Sequence, residues 1–457
     1  MCTYLNFNAR IVSWKKMNKE YSMGRFSTFK KGGVHPADKK ELAKMSAIEV
    51  LPLPSELIVS MSQHLGAPAQ CLKKKGDTVE KGEKIGESSS FISADVHSPV
   101  SGVVSEVRKV RLASGSVADA LVIKPNEVQP EMFQEKYNWQ EEDKEELLKL
   151  VKDMGIVGMG GATFPTNVKL NIPTGKKVDA LVINGVECEP YLTADYRVMM
   201  ERAEGVLEGV MVLKKILSPG KTIIGIERNK MDAVSHLEDL IKSKGYDITV
   251  MPLKMKYPQG DEKQLLKATI NREVPSGKLP IDIGAVVCNI GTSYAIYEAA
   301  VFHKPLFERI ITVSGEAISQ PKNILAPIGT KASDLIAYCG GYNTQEIGEL
   351  VSGGPMMGFA FSDEDTPMIK GSSGLLALLP EKLDTGVCVS CGKCVQHCPM
   401  GLMPNKMFRN IKYKNYQAAM DLGLMDCKEC GCCAYICPAH LPLVQGFKLG
   451  KKLGRKK

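Results

Sequence analysis

The sequence predicts a multidomain α/β protein with a parallel sheet at its centre and helices on both faces of that sheet. A chain of 457 residues is too long for one core, because single cores stop growing near roughly 250 residues. Short apolar runs alternate with amphipathic segments through the middle of the chain. Two cysteine-rich runs of identical spacing follow near the C-terminus. We therefore expect about three domains, the last of which binds metal through cysteine.

The predicted central sheet begins at VDALVING, a run rich in Val and Ile that ends at Asn184 and Gly185. Apolar positions then recur at alternating steps of four and three over 195–217, which predicts an amphipathic helix. Further strands are predicted at TIIGIE, DITVMPL and AVVCNI, and further helices across MDAVSHLEDLIKSK, from Glu262 and from Ser293. This order of elements is typical of a parallel sheet.

Polar residues follow the predicted strands, at the edge where ligands bind in parallel α/β sheets. Three loops carry them: Asn184, Glu187 and Glu189 in NGVECEP; Tyr257, Gly260, Asp261 and Glu262 in YPQGDE; and Asn289 and Thr292 in CNIGT. Helix caps and turns account equally well for any one of these loops. The three together predict a binding rim.

A glycine-rich loop, GIVGMGGATFPTNVKL, precedes the first predicted strand. A Rossmann fingerprint would follow a strand, and here Thr163 occupies the last glycine position of GxGxxG. Such a loop still exposes backbone N–H groups that can bind a phosphate. On its own spacing, both a binding loop and a plain turn remain open. Its candidate binding residues are Gly158, Gly160, Gly161, Phe164 and Lys169.

Two cysteine runs give the most specific pattern in the chain. Cys388, Cys391, Cys394 and Cys398 form C-x2-C-x2-C-x3-C-P, and Cys427, Cys430, Cys433 and Cys437 repeat it 39 positions later (427 − 388). This spacing is typical of two [4Fe-4S] clusters, in which the last cysteine of each run ligates the other cluster. We assign Cys388, Cys391, Cys394 and Cys437 to one cluster, and Cys427, Cys430, Cys433 and Cys398 to the other. Zinc is the alternative, although its sites normally pair two CxxC knuckles across a longer loop.

Charge and hydropathy indicate the compartment and the kinds of partner to expect for the protein. No apolar run approaches the roughly 18 residues of a membrane span, and the first residues lack the apolar core of a signal peptide. We therefore expect the chain to stay in the cytoplasm. A net charge of +8 is modest, and we expect no nucleic-acid partner. The end, KLGKKLGRKK, is either a site for anionic lipid or an acidic partner, or a solvated tail.

The motifs GMGGATFPTNVK, NGVECEP, YPQGDEKQL and CNIGT together resemble the FMN and NADH module of the complex I flavoprotein subunit. The resemblance implies that FMN is lined by Gly158, Gly160, Gly161, Lys169, Asn184, Glu187, Tyr257, Asp261, Glu262 and Asn289. It implies that Phe164 stacks on the nicotinamide side and that Glu189 helps to hold NADH. The chain has Met159 and Thr163 where the complex I pattern has arginine and glycine. Glu187, Asp261 and Glu262 would gather negative charge that resists an anionic reduced flavin.

Two flanking segments are similar to known small modules. Strand and turn signals over 49–125 are similar to a biotinyl or lipoyl barrel-sandwich module. The lysine that such carriers modify would fall near Phe91, but no lysine lies between Lys84 and Lys109, so docking is the better interpretation. Residues 308–345 resemble the small β-grasp (SLBB-like) domain that follows the flavin domain in complex I.

The order of these modules, with FKKGGVHP before them and VSGGPMMGFA near the end, resembles the RnfC family, peripheral subunits of Rnf electron-transport complexes. We expect an N-terminal extension over 1–28, a barrel-sandwich domain over 29–130, a Rossmann-like FMN/NADH domain over 140–306, a β-grasp domain over 307–372, an α-helical two-[4Fe-4S] ferredoxin-like domain over 375–446 and a basic tail over 447–457.

Membership of this family implies electron exchange between NAD(H), FMN and two [4Fe-4S] clusters in an ion-translocating ferredoxin:NAD+ oxidoreductase. The implied partners are NADH, the integral-membrane and iron-sulfur subunits of the complex and, indirectly, ferredoxin. The implied location is peripheral, on the cytoplasmic face of the inner (plasma) membrane. Two alternatives use the same modules: a soluble corrinoid or quinone reductase, and an iron-sulfur adaptor without flavin.

Overall fold

The computed structural model describes residues 26–382 and 384–454. Most of the predicted N-terminal extension lies outside the described residues, as do Arg455, Lys456 and Lys457 of the predicted tail. Within the described ranges, every helix is too short or too polar to cross a membrane.

The N-terminal part is a β module built from two small sheets. Its strands are β1 Ile48–Val50, β2 Leu57–Ser60, β3 Gln70–Cys71, β4 Thr78–Val79, β5 Lys84–Glu87, β6 Val96–His97, β7 Gly102–Arg111 and β8 Val117–Pro125. One sheet has the order β2-β8-β7-β4 and the other β3-β5-β6. Leu57, Ile85 and Leu121 are fully buried between them. Phe91 lies in the loop where a carrier lysine would stand and is 75% exposed.

The central part is a parallel sheet with helices on both faces. Its elements are α1 Lys144–Asp153, α2 Thr166–Leu170, β9 Ala180–Gly185, α3 Ala194–Glu201, α4 Ala203–Leu217, β10 Lys221–Glu227, α5 Met231–Lys244, β11 Thr249–Leu253, α6 Glu262–Ile270, β12 Ala285–Asn289 and α7 Ile290–Phe302. The strand order is β11-β10-β9-β12, and every pair is parallel. The four predicted strands are confirmed.

Two helix predictions in this part need correction. The helix predicted over 195–217 is two helices that meet at Arg202, where the backbone leaves helical geometry. The apolar spacing continues through the break, so the sequence pattern does not reveal it. Helix α7 begins at Ile290 and not at Ser293, because Asn289 ends β12 and caps α7 at the same time.

The third part is a six-stranded sheet with the order β1-β14-β13-β17-β15-β16. Its own elements are β13 Glu308–Ser314, β14 Lys322–Pro327, α8 Ala332–Tyr338, β15 Glu349–Ser352, β16 Phe359–Phe361 and β17 Gly374–Leu378. Strand β1 comes from the N-terminal part and pairs in parallel with β14. Strand β17 lies between β13 and β15. The sheet therefore extends beyond the predicted range of 307–372 on both sides.

The C-terminal part is helical and internally repeated. Its helices are α9 Lys393–Gln396, α10 Pro404–Lys412, α11 Tyr416–Asp421, α12 Cys432–Tyr435 and α13 Leu443–Gly454. The starts of α9 and α12 differ by 39 residues (432 − 393), as do those of α10 and α13 (443 − 404). Helix α13 includes residues 447–454 of the segment predicted as a tail and buries Phe447.

Replacing Gly209 by alanine is expected to destabilise the central part by about 1–3 kcal/mol. A Cβ at Gly209 on α4 would overlap the carbonyl oxygen of Ser293 on α7, and a helix backbone cannot move aside as a side chain can. This clash opposes a gain of at most about 1 kcal/mol in helix propensity. The free energy of unfolding from denaturant titration measures the balance.

Gly161→Ala is the matched control, because a Cβ there meets no atom within 4 Å. Its effect should stay within about 0.5 kcal/mol. Equal stability of the two variants would contradict the close packing of α4 on α7.

Candidate functional site

The loops after β9 and β11 are joined by one side chain. Asn184, the second-last residue of β9, donates from Nδ2 to the carbonyl oxygen of Gly260 at 2.9 Å. Its Oδ1 accepts from the N–H of Val186 at 3.1 Å. The amide thus fixes NGVECEP against YPQGDE, and two of the three predicted rim loops lie together.

The third loop is fixed by Asn289. Its Oδ1 accepts from the N–H of Gly291 at 2.8 Å and caps α7, while its Nδ2 donates to Asp195 at 2.6 Å. Thr292, in the first turn of the same helix, accepts from the N–H of Met159 at 2.9 Å. The glycine-rich loop is therefore tied to the end of β12.

The glycine-rich loop lies directly over Asn289. A Cβ at Gly160 would approach Asn289 Nδ2 to 2.7 Å, so this position excludes any side chain. Gly158 donates to Phe164 at 2.8 Å and closes the loop. Among the described residues, the exposed N–H groups of Gly160 and Gly161 have no hydrogen-bond acceptor. Such free amides can bind an anionic group.

Thr163 and Lys169 complete this loop. Thr163 has a φ of 53°, in the left-handed region that favours glycine, at the position where the complex I pattern has one. Lys169 donates to the carbonyl oxygen of Val287 at 3.1 Å and lies 3.5 Å from Glu262. Lys169 thus joins the loop to the start of α6.

Glu187 is held in the rim by its backbone and by one oxygen. It has a φ of 45°, and its Oε1 accepts from the N–H of Asp195 at 2.7 Å. Its Oε2 is buried without a hydrogen-bond partner among the described residues, 3.9 Å from Lys40 Nζ. Burial raises the pKa of Glu187 to about 7, although Lys40 opposes this shift.

Glu189 is already engaged by two donors. It accepts from the hydroxyl of Tyr257 at 3.2 Å and from the N–H of Met356 at 3.0 Å. A Cβ at Gly354 would overlap its carboxylate, so the GGPMMG turn packs directly on it. Burial raises the pKa of Glu189 to about 7 against these hydrogen bonds. Its role in holding NADH stays a prediction.

The predicted excess of negative charge at the rim needs correction. Lysines face the three carboxylates: Lys40 faces Glu187, Lys169 faces Glu262, and Lys428 opposes the rise that burial causes in the pKa of Asp261. Sequence spacing could not reveal these pairs, because each joins distant segments. The rim is close to charge balance, so its carboxylates do not by themselves oppose an anionic ligand.

The second cysteine run lines a cavity together with the last cysteine of the first run. Cys398, Cys427, Cys430 and Cys433 all face it. Burial, together with smaller contributions from Cys430 and Cys398, raises the pKa of Cys427 to about 11. In the other run, the charges of Cys391 and Cys437 add to the rise that burial causes in the pKa of Cys394. The crossed assignment of the eight cysteines to two clusters stays a prediction.

The backbone around both cysteine runs has the same repeat. Left-handed φ values occur in pairs 39 residues apart: at Ser390 and Glu429, at Gly392 and Gly431, and at Gly401 and His440. The N–H of Leu402 donates to Cys398 Sγ and that of Glu429 to Cys427 Sγ, each at 3.4 Å. Backbone donors to cysteine sulfur fit an iron-sulfur cluster, as does a cavity lined by the four motif cysteines and by Cys432, which lies outside the motif spacing.

Tyr257 connects the rim to this cavity. Its hydroxyl donates to Glu189, and its carbonyl oxygen lies 3.9 Å from the thiol of Cys432, which is fully buried beside the ligand cysteines. Val34 exchanges two backbone hydrogen bonds with Tyr257, each of 2.9 Å. The four-cysteine group with Cys398 is therefore adjacent to the rim. Cys388 and Cys391 of the other group are exposed.

Several charged residues of the rim were not predicted from the sequence. They are Lys40, Asp195, Lys230 and Arg309. Lys40 lies only four residues after the FKKGGVHP motif (40 − 36), and no role in the site is predicted from the sequence for the GGPMMG turn. The one sequence feature that could have indicated these residues is their polarity inside or beside such motifs. Nothing in their spacing indicates a partner in another domain.

Family models match four successive segments of the chain. The RnfC barrel sandwich hybrid domain matches 27–128, the Nuo51 FMN-binding domain 151–298, the SLBB domain 310–360 and the 4Fe-4S dicluster domain 381–438. These matches confirm the predicted fold class and its order of modules. They also identify the segments that bind FMN and two 4Fe-4S clusters.

Curated relatives match over most of the chain. A subunit of the proton-translocating ferredoxin:NAD(+) oxidoreductase complex of Clostridium ljungdahlii is 44% identical, and the match covers 82% of this chain and 83% of the relative. The corresponding subunit of the Na(+)-translocating complex of Acetobacterium woodii is 43% identical over 83% and 86%. That of the ion-translocating oxidoreductase complex of Rhodobacter capsulatus is 39% identical over 92% and 82%.

A solved structure shares the fold at lower identity. The NAD+-reducing [NiFe]-hydrogenase in the H2-reduced state aligns with a TM-score of 0.50 and 15% identity. The alignment covers 68% of this chain and 62% of that one. At this identity the likeness concerns the fold alone.

Gly160→Val is expected to weaken FMN binding at least about tenfold, which corresponds to about 1.4 kcal/mol. A valine would displace Asn289, whose amide is fixed by Asp195 and by the cap of α7. Flavin released by acid after reconstitution gives the measurement, and iron content should not change. Loss of iron in Gly160→Val would instead mean that the loop is structural.

The double substitution Cys398→Ser and Cys430→Ser is expected to abolish only one cluster, because both cysteines line the cavity and are predicted to ligate the same cluster. Iron should fall to about half, as it should for Cys398→Ser alone. Removing Cys398 and Cys391 together should abolish nearly all iron. Iron analysis and the EPR signals of the reduced protein distinguish these cases, and Cys432→Ser should keep both clusters. If the first double variant loses all iron, the crossed assignment is wrong.

Proposed function

Because the chain belongs to the RnfC family, we propose that it is the electron-transfer subunit of that type in an ion-translocating ferredoxin:NAD+ oxidoreductase complex. It exchanges electrons between NAD(H), FMN and two [4Fe-4S] clusters. The observation that carries this proposal is the contact of Tyr257 with both Glu189 in the rim and Cys432 beside the cluster cavity. One residue thereby joins the two cofactor sites.

Different residues of the rim would bind different parts of the flavin. FMN supplies the conversion between the two-electron hydride chemistry of NAD(H) and single-electron transfer. The free amides of Gly160 and Gly161 and the charge of Lys169 suit its phosphate. Asn184 and Asn289 fix the loops around it. Phe164 provides an apolar face beside the glycines for the nicotinamide.

Glu187 contributes an unpartnered acceptor to the same site. Its buried Oε2 is able to accept a hydrogen bond from an N–H of a bound ring without losing one inside the protein. A buried carboxylate with a pKa of about 7 changes protonation near neutrality, so it can also hold a proton. This orphaned oxygen supports a polar planar ligand at the rim.

Burial and exposure suggest an order for the two clusters. The group of Cys398, Cys427, Cys430 and Cys433 borders the cavity beside Tyr257, whereas Cys388 and Cys391 of the other group are exposed. Electrons would pass between the rim and the first group, and then between the second group and a partner. The partner would be an iron-sulfur or integral-membrane subunit of the complex, with ferredoxin acting indirectly.

The same assignment implies a place for the chain in the cell. The relatives are named as subunits of ion-translocating complexes. We infer that this chain is held peripherally on the cytoplasmic face of the inner membrane by other subunits. Recovery with those subunits after mild detergent extraction is the expected result. Recovery as a lone protein would favour a soluble reductase.

An anaerobic NADH titration of the protein reconstituted with iron, sulfide and FMN tests the electron path. NADH should bleach the flavin and then reduce both clusters, as followed in visible and EPR spectra. In the variant without Cys398 and Cys430, the flavin should still bleach while the remaining cluster reduces at least about tenfold more slowly. In the variant without Cys437 and Cys391, the cavity cluster should reduce as in the wild type.

Two outcomes would contradict the proposal. If NADH bleaches neither flavin nor clusters in the wild type, the NAD(H) site is wrong. If the exposed cluster reduces normally when the cavity cluster is missing, the order of the clusters is wrong.

A further inference from the structure

A segment at the start of the described chain, residues 29–44, connects the cluster cavity with the rim. We name it the strap. At one end, the N–H of Gly33 donates to the carbonyl oxygen of His397 at 2.9 Å, next to Cys398. A Cβ at Gly32 would come within 2.5 Å of the backbone of Cys398. The strap then pairs with Tyr257 through Val34 and continues towards the loop after β9.

At the other end of the strap, Lys40 is inserted beneath the loop that carries Glu187 and Glu189. It is 4% exposed. Its Nζ donates to the carbonyl oxygen of Glu189 at 2.9 Å and to that of Leu192, and lies 3.9 Å from Glu187 Oε2. An ammonium group has three N–H donors; two of them reach carbonyl oxygens here, and Glu187 Oε2 lies beyond hydrogen-bond distance. Burial lowers the pKa of Lys40, and the nearby carboxylate of Glu187 opposes this shift and favours the charged form.

Lys40 is one of two buried lysines that hold this loop by its carbonyl oxygens. Lys230 donates to Val186 at 2.8 Å and to Asn229 at 3.1 Å. The two lysines thus fix the loop at Val186 on one side of the carboxylates and at Leu192 on the other. Without Lys40, the loop would be held by a lysine at one end only.

The charge of Lys40 matters as much as its hydrogen bonds. The charged groups that face Glu187 are Lys40 from the strap, Lys230 from the turn after β10 and Asp195 from α3. Removing one partner of a buried ion pair leaves the other charge uncompensated, which is strongly unfavourable. Glu187 would then take up a proton over a wider pH range, since the attraction of Lys40 would no longer favour its ionised form.

We propose that Lys40 is a positioning residue of the cofactor site: it orders residues 186–192 and supplies positive charge that favours the ionised form of Glu187 beside the bound cofactor. This inference rests on the proposed function only for the identity of that cofactor. Because the same strap grips the backbone at His397 and Cys398, it fixes the rim relative to the cavity cluster.

Two substitutions at Lys40 separate its two roles. Lys40→Met removes the hydrogen bonds and the charge, whereas Lys40→Gln keeps a donor and removes only the charge. Lys39→Met is the matched control, because Lys39 is the neighbouring residue and its side chain is 43% exposed. The whole chain is used, reconstituted with iron, sulfide and FMN.

The first measurement is hydrogen exchange of the backbone amides of 186–192, which needs no bound cofactor. Lys40→Met should raise exchange in this segment at least about tenfold relative to the wild type. Lys40→Gln should raise it less, and Lys39→Met should leave it unchanged. Equal exchange in all variants would overturn the ordering role.

The second measurement is the midpoint potential of the bound flavin as a function of pH. A change of slope is expected where Glu187 titrates, near pH 7 in the wild type. It should move to higher pH in both Lys40 variants, stay in place in Lys39→Met and disappear in Glu187→Gln. An unchanged profile in Lys40→Gln would overturn the charge role, because a structural support alone would not move a titration.

These outcomes separate the inference from the function on which it rests. If the wild type binds no flavin, the proposed function fails, and the ordering of 186–192 by Lys40 is decided by exchange alone. If the flavin binds and NADH reduces it while the Lys40 variants behave like the wild type, the function stands and the role of Lys40 is wrong. Iron content should equal that of the wild type in every variant, and its loss would mean that the strap serves the cluster instead.

Discussion

The candidate site depends on how the loop after β9 is held. Residues 184–192 carry Glu187 and Glu189, and Glu187 has a left-handed backbone conformation that costs free energy. Val186 and Leu192 anchor the two ends of the loop in apolar clusters, and polar contacts restrain the part between them. These contacts run from Asn184 to Gly260 and from the ammonium groups of Lys40 and Lys230 to backbone carbonyls. Buried amide, ammonium and carboxylate groups are favourable only when nearly all of their donor and acceptor atoms find hydrogen-bond or ion-pair partners.

This constraint explains why one site draws residues from every part of the chain. The glycine loop and Asn289 come from the central part, Met356 and Gly354 from the six-stranded sheet, Lys40 from the N-terminal strap, and Lys428 from the cysteine-rich part. Tyr257 meets several of them, since it contacts Glu189, Val34 and Cys432. The parts of the protein are therefore held against one another around the candidate site.

Local patterns in the sequence predicted the elements and the cysteine groups. The alternation of strands and helices follows from short-range apolar periodicity, and the crossed cysteine groups follow from a repeat of 39 residues (427 − 388). Long-range contacts could not be predicted in this way. Lys40 and Glu189 are 149 residues apart. Strand β1 likewise pairs with β14, which begins only at Lys322. The helix break at Arg202 could not be predicted because the apolar spacing continues across it.

The most direct measurement is an experimental density map of the protein isolated with FMN and both clusters. Flavin density is expected against Gly160, Asn289 and Glu187, with its phosphate at the glycine loop. The nearer iron-sulfur density is expected between Cys398 and the second cysteine run, beside Tyr257. Flavin density elsewhere, or a nearer cluster ligated by Cys388, Cys391 and Cys394, would contradict the arrangement derived from these contacts.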